Sequence, residues 1–277
     1  KPKWKSYRDS DLWRLLIKSM DKTITKEEYL LYDIHLFVAI DHDDYFWEAN
    51  HKKLLENAIR LFRFKVQFHT FQKTDSIPWN RITNEAYLFG AEYFFRPNDD
   101  TELLTKKWIT NAINELMIMD NLGVIGPPSY EGNTKILVHD FVHRNHIEIF
   151  GEYYPSYFKN WYLDDWITYV YKHRMKKLKS WKVKHHISPP RYKVFSVPKK
   201  KFNEILDQSF VVLENELKKR LVTKRVVVVS RTSKTYVSTF FRYALYQFRN
   251  EIINLRLLYE QVFPEYILII DNAECEE

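Results

Sequence analysis

The sequence predicts an α/β fold built on a mostly parallel sheet flanked by helices, and three observations carry that prediction. Short apolar runs suited to buried strands alternate with amphipathic helical segments from residue 12 to residue 126. Those runs end in polar corners, namely Asp41-His42-Asp43-Asp44, Asn98-Asp99-Asp100 and Gly126-Pro127-Pro128. The five glycines all lie between residues 90 and 151, and glycine permits tight turns and a close backbone approach to a ligand.

Taken in order, Lys1 to Arg8 is basic, aromatic and without period. Asp9-Ser10-Asp11 can cap a helix whose apolar positions Leu12, Leu15, Leu16 and Met20 recur at helical spacing. Thr25-Lys26-Glu27-Glu28 has the pattern of a capping box and opens a second short helix. Ile34 to Ile40 suits a strand covered on both faces. Residues 50–62 read as amphipathic helix, and Phe64 to Phe71 alternates with the period of a strand. Trp79 to Phe89 is helical again, and Tyr93-Phe94-Phe95 forms a short aromatic strand after Gly90. A helix follows from Leu103 to Met119, then a short strand from Leu122 to Ile125. Residues 202–221 have helical period, with Leu206, Phe210, Leu213 and Leu217 on one face. Tyr243 to Phe263 is a further long amphipathic pattern, and Tyr266 to Ile270 is strand-like. Residues 1–200 are read as a catalytic core, and residues 201–277 as a helical and strand region completing the same domain.

Composition narrows the classes. With 45 % hydrophobic and 17 % aromatic residues, the 277-residue chain can bury a sizeable core. Its single cysteine, Cys275, excludes an intrachain disulfide and a cysteine-based zinc site. No apolar run is long enough to span a bilayer. The chain opens on Lys1 and not on Met, which leaves room for a trimmed anchor, so a Golgi or ER lumen and the cytoplasm both stay open. The net charge is +7, and much of the excess lies between Lys172 and Lys201, a stretch able to attract polyanions or simply to form a solvated face.

The chemistry concentrates at strand ends. Asp41, Asp44, Asp99 and Asp100 all fall at predicted strand C-termini, the edge where ligands sit in such sheets. Adjacent carboxylates there repel each other and lose solvation, and a divalent cation with oxygen ligands relieves both costs. The cation's remaining positions suit phosphate oxygens. Neither G-x-G-x-x-G nor a Walker loop occurs, which disfavours a dinucleotide or P-loop site. His139, His143 and His146 are spaced four and three apart, the spacing of one helix face; a metal cluster and hydrogen-bonded histidines are the two readings. Asp164 and Asp165 sit among Trp161, Tyr162 and Trp166, where desolvation would raise a carboxyl toward the range of a general base; the plainer reading is a capping acid at a helix start.

Together the strand ending in Asp-x-x-Asp, the W-N-R helix at Trp79, G-A-E-Y-F-F-R-P-N-D-D, G-V-I-G-P, H-D-F-V-H-R and W-Y-L-D-D-W resemble the nucleotide-sugar-dependent glycosyltransferases of the GT-A fold, over roughly Asp9 to Val194. The resemblance implies that Asn98-Asp99-Asp100 is a variant D-x-D motif holding Mn²⁺ or Mg²⁺ against a donor diphosphate, with Asp100 as direct ligand and Asp99 beside it. It implies nucleotide contacts from Asp41 and Asp44, and donor-sugar contacts from Asn80, Arg81 and Asn84. It makes Asp165, with Asp164 beside it, the base of an inverting transfer to a glycan or glycoprotein hydroxyl. His185 or His186 would complete the metal site, and a UDP-sugar is the favoured donor.

Enzymes of that fold begin with a strand and a nucleotide-holding loop, and none precedes Trp4. Lys224 to Tyr236 has that character, which gives two readings: a circular permutation in which Val226–Val229 supplies the strand and Arg231, Thr232 and Lys234 contact the nucleotide, or an independent C-terminal region or second repeat unrelated to this site. The segment Pro189 to Lys201 is expected to close over the phosphates. The alternative function is a non-catalytic nucleotide- or nucleic-acid-binding module using the Lys172–Lys201 stretch; a nucleotidyltransferase is disfavoured by the lack of a glycine-rich opening loop.

Overall fold

A computed structural model describes residues 4–130, 133–186 and 192–223. By its internal contacts the chain divides into residues 1–224 and 225–277, and the second unit lies outside the described residues. The permutation expectation, with Val226–Val229, Arg231, Thr232 and Lys234, therefore lies outside them as well.

The first helical stretch begins as a π-helical turn, Leu12–Ile17, and continues as α1 (Lys18–Thr23). Thr25 caps α2 (Lys26–Leu31) through a complete capping box with Glu28, as the local sequence requires. Then follow β1 (His35–Asp41), α3 (Tyr45–Leu61), β2 (Lys65–Phe71), α4 (Trp79–Leu88) and β3 (Tyr93–Arg96). After the acidic corner come β4 (Thr101–Leu103), α5 (Trp108–Ile118), β5 (Val124–Gly126), β6 (Asp140–His143), α6 (Asn145–Phe150) and α7 (Leu163–Val170). The described chain closes with β7 (Met175–Lys177), β8 (Val183–His185) and α8 (Lys199–Thr223).

The strands form a parallel pair β1–β2, a four-stranded sheet in the order β3-β6-β5-β7, and an antiparallel pair β4–β8. The expectation of a mostly parallel sheet is thus corrected: the strands are mixed, because β6 runs against both β3 and β5. A parallel neighbour requires a crossover that returns the chain to its starting end, usually a helix. The loop between β5 and β6 contains no helix among its described residues, so β6 comes back antiparallel. His139, His143 and His146 accordingly do not share a helix face: the first precedes β6, the second ends it and the third lies on α6.

Side chains alternate across the strands into two buried clusters. Leu36, Ile40 and the half-buried Phe95 join one cluster with Trp47 and Leu54 of α3 and Trp108 and Leu116 of α5. Phe94 and Val142 join the other with Ala86 of α4, Ile147 of α6, Trp166 and Ile167 of α7 and Leu213 of α8. Helices therefore cover both faces of the strands, the arrangement of a layered α/β domain. At Gly126 no side chain fits: a Cβ there would collide with the His139 carbonyl and lie 2.8 Å from Leu137. Among the described residues no helix is long and apolar enough to cross a membrane.

Candidate functional site

The acidic corner is built by β3 and β4. Phe94 and Arg96 alternate inward, Pro97 ends the strand, and the turn at Asn98–Asp100 delivers Thr101 into β4. The register of β4 on β8 places Thr101 opposite His185. His185 Nε2 therefore lies 3.1 Å from Asp100 Oδ1 and 3.2 Å from Asn98 Nδ2. His186, one residue on, turns the other way and meets Glu102 at 3.0 Å. Of the two predicted histidines, His185 meets the Asp100 carboxylate with its ring, whereas His186 bonds the Asp100 carbonyl through its backbone amide at 3.0 Å.

That spacing has a chemical reading. Cis ligands of an octahedral cation with bonds of about 2.1 Å lie roughly 3 Å apart; the Asp100–His185 separation of 3.1 Å is that of a hydrogen-bonded pair and also accommodates such a cation. Rotating the Asn98 amide by half a turn would bring its carbonyl oxygen toward the same point, because amide orientation is an assignment. No group of three or more His, Cys, Asp and Glu able to hold a metal occurs among the described residues. A cation here would rest on Asp100, His185 and the Asn98 carbonyl, and complete its shell with phosphate oxygens and water, the usual habit of Mg²⁺. Asp99 is half-buried in the same turn.

Behind the corner stands His139, 2 % exposed, with Nε2 2.7 Å from Thr101 Oγ1 and its ring 5.3 Å from that of His185. Burial lowers its pKa to about 3, and the Arg96 guanidinium and His185 act in the same direction. It is a neutral support for the turn and not a ligand set with His143 and His146. His146 is buried too, its ring bonded to the Tyr171 hydroxyl and the Tyr153 carbonyl.

The predicted base pair lies on the first turn of α7. Asp164 is bound by Arg96 Nη2 at 2.6 Å; burial pushes its pKa up to about 6, against the pull of Arg96 and with the push of Asp140 and Asp165. Asp165 is half-buried, its pKa raised by burial and held back by its own backbone amide. Trp166 is fully buried and Trp161 is 53 % exposed, so the expected aromatic wall is one-sided.

Arg96 was not singled out by sequence, although it sits in the alternation that buries Phe94. Its guanidinium donates to Asp140 at 2.8 Å, to the Val138 carbonyl at 2.7 Å and to Asp164, and lies 5.3 Å from the Trp79 ring centre and 5.6 Å from that of Tyr154. Asp140 also accepts the Tyr153 hydroxyl at 2.5 Å and the Tyr154 hydroxyl at 2.6 Å. Burial opposes the charge on Arg96, and these anionic and phenolic partners overcome it, holding its pKa well above the ordinary value.

The other predicted contacts divide. Asp41 ends β1, accepts the Tyr192 hydroxyl at 2.6 Å through Oδ2, and keeps Oδ1 buried without a hydrogen bond. Asp44 caps α3 through the amides of Phe46 and Trp47. Asn80 is spent on the loop after α6, bonding Glu152 and both backbone groups of Tyr154. Arg81 donates to the Gln72 carbonyl and stacks on Phe71, with Nη2 buried and unbonded. Asn84 is exposed on α4. In the Lys172–Lys201 stretch, Lys176 pairs with Glu115, and Lys177 donates to the Thr134 carbonyl. Residues 187–191 lie outside the described chain, and from Tyr192 the backbone runs past Asn160, which bonds the Lys193 carbonyl. No protein-family model matches the chain, and no curated protein matches it either.

Proposed function

We propose that the chain is a metal-dependent glycosyltransferase of GT-A type, moving a sugar from a nucleoside diphosphate, UDP favoured, to an acceptor hydroxyl. The observation that supports this reading best is that His185 Nε2 lies 3.1 Å from Asp100 Oδ1 and 3.2 Å from the Asn98 amide at the end of β3 and start of β4. That spacing suits one Mn²⁺ or Mg²⁺ and leaves the rest of its shell to a diphosphate. The cation, when bound, would stabilise the charge that develops on the departing diphosphate.

The chain's own groups would do the rest. Asp165, whose carboxyl is raised by burial, accepts the proton of the attacking hydroxyl. The acceptor oxygen then bonds the anomeric carbon as the bond from that carbon to the phosphate oxygen breaks, and the diphosphate leaves with the electron pair. The unbonded Oδ1 of Asp41 is the acceptor on offer to a ribose hydroxyl or base N–H at the end of β1.

A screen of nucleotide sugars for Mn²⁺-dependent hydrolysis, water replacing the acceptor, tests the reading and names the donor. Asp100→Ala should abolish hydrolysis while the fold persists by circular dichroism. Metal-independent turnover, or full activity in Asp100→Ala, overturns it.

A further inference from the structure

Several separate elements converge on Arg96. β3, whose end leads into the acidic corner, supplies the residue itself; β6 supplies Asp140, and the loop after α6 supplies Tyr154. The first residue of α4 supplies the Trp79 ring, and the first turn of α7 supplies Asp164. The side chain is 4 % exposed.

Stability alone would need less. One buried guanidinium balances one carboxylate, and Asp140 at 2.8 Å, itself bonded by two tyrosine hydroxyls, is that partner. A second acid on the same guanidinium leaves the cluster with excess negative charge, an arrangement that costs folding energy. The second acid is next in sequence to Asp165, and its carboxylate points back to the strand that leads to Asn98. Arg96 thus fixes the rotation of the first α7 turn, and an adjacent residue on a helix lies about 100° round the axis.

Resting on the reaction proposed above, we propose that Arg96 is a positioning residue: by gripping Asp164 it holds the first turn of α7 and thereby fixes the orientation of the neighbouring Asp165. Asp164 is the anchor of the pair and Asp165 the carboxylate that meets the acceptor. The forked guanidinium matters, because Nε donates to Asp140 while Nη2 donates to Asp164 and the Val138 carbonyl in fixed, divergent directions, and a lysine's compact ammonium lacks that planar fork.

The test is a mutant cycle read on Mn²⁺-dependent hydrolysis of the donor found by the screen. Asp164→Asn and Arg96→Lys should each lower kcat about 10- to 100-fold, with KM for the sugar nucleotide little changed. Asp165→Asn should cost at least as much. In the Asp165→Asn background, adding Asp164→Asn should cost nothing further, because the anchor acts only through the residue it aims. Asp164 is 29 % exposed, so its asparagine variant keeps the test available if Arg96→Lys does not fold. A full additive loss in the Asp165→Asn background, or a KM effect without a kcat effect, overturns the positioning role. Absence of any wild-type turnover overturns the enzymatic reading instead.

Discussion

His146 makes acid sensitivity a quantitative matter. It is 1 % exposed, and its Nε2 must donate to the Tyr153 carbonyl at 2.7 Å, since a carbonyl only accepts; Nδ1 then accepts the Tyr171 hydroxyl at 2.9 Å. The neutral ring is fully satisfied, and burial lowers its pKa to about 4 although the Tyr153 bond and Asp140 favour the charge. The unfolded chain binds a proton near pH 6.5. The folded state resists it, so stability falls as pH drops from about 6.5 to about 4. The full loss is about 3 kcal/mol, of which about 2 is spent by pH 5. His139, with a pKa lowered to about 3, falls in the same direction. Asp164, raised to about 6, works oppositely and gains stability as it protonates. His146→Gln isolates the one contribution, because its amide can donate to Tyr153 and accept from Tyr171 without titrating. Urea unfolding at about pH 7.5 and pH 5 should show the variant losing about 2 kcal/mol less than wild type. Equal losses in the two proteins would mean that His146 takes its proton at little cost, and the buried-neutral account would be wrong.

Two further outcomes follow from the geometry. His185→Ala should weaken Mn²⁺ binding by roughly 10- to 100-fold in titration calorimetry with UDP present, whereas His186→Ala, paired to Glu102, should change it little. Gly126→Ala drives a methyl group into the His139 carbonyl and Leu137, and should cost about 2 kcal/mol in urea unfolding.

The parts of this fold that declared themselves in sequence are those with one unambiguous period. β1, β2 and α4 each show it, and their ends fall close to the expected places; α3 shows it too but begins at Tyr45, five residues before the expected start, where Asp44 caps it. β4 is hidden because three residues, Thr101-Glu102-Leu103, are too few to show alternation, and the last of them reads as the start of the next helix. β6 was misread because the histidine spacing of four and three imitates a helix face; the β-favouring Phe141-Val142 pair was the competing signal. β8 was concealed by charge. Trp181 and Val183 are buried and Lys182 and Lys184 exposed, a strand pattern that the count of lysines obscured. The acidic corner was legible as a cost without a visible return, and Arg96 was not, because its acids arrive from residues 140 and 164.

The tryptophan that seats β8 carries an optical consequence. Trp181 is 1 % exposed and lies face to face with Trp108, ring centres 5.2 Å apart and planes 21° from parallel, with Phe95 against both. Two indoles so close share their excitation, and their joint near-ultraviolet signature depends on how β8 meets α5. His185 rides on that same strand, four residues further on. The molecule therefore carries a built-in, label-free gauge of whether its histidine arm is in register, readable in the intact protein while metal or nucleotide is added.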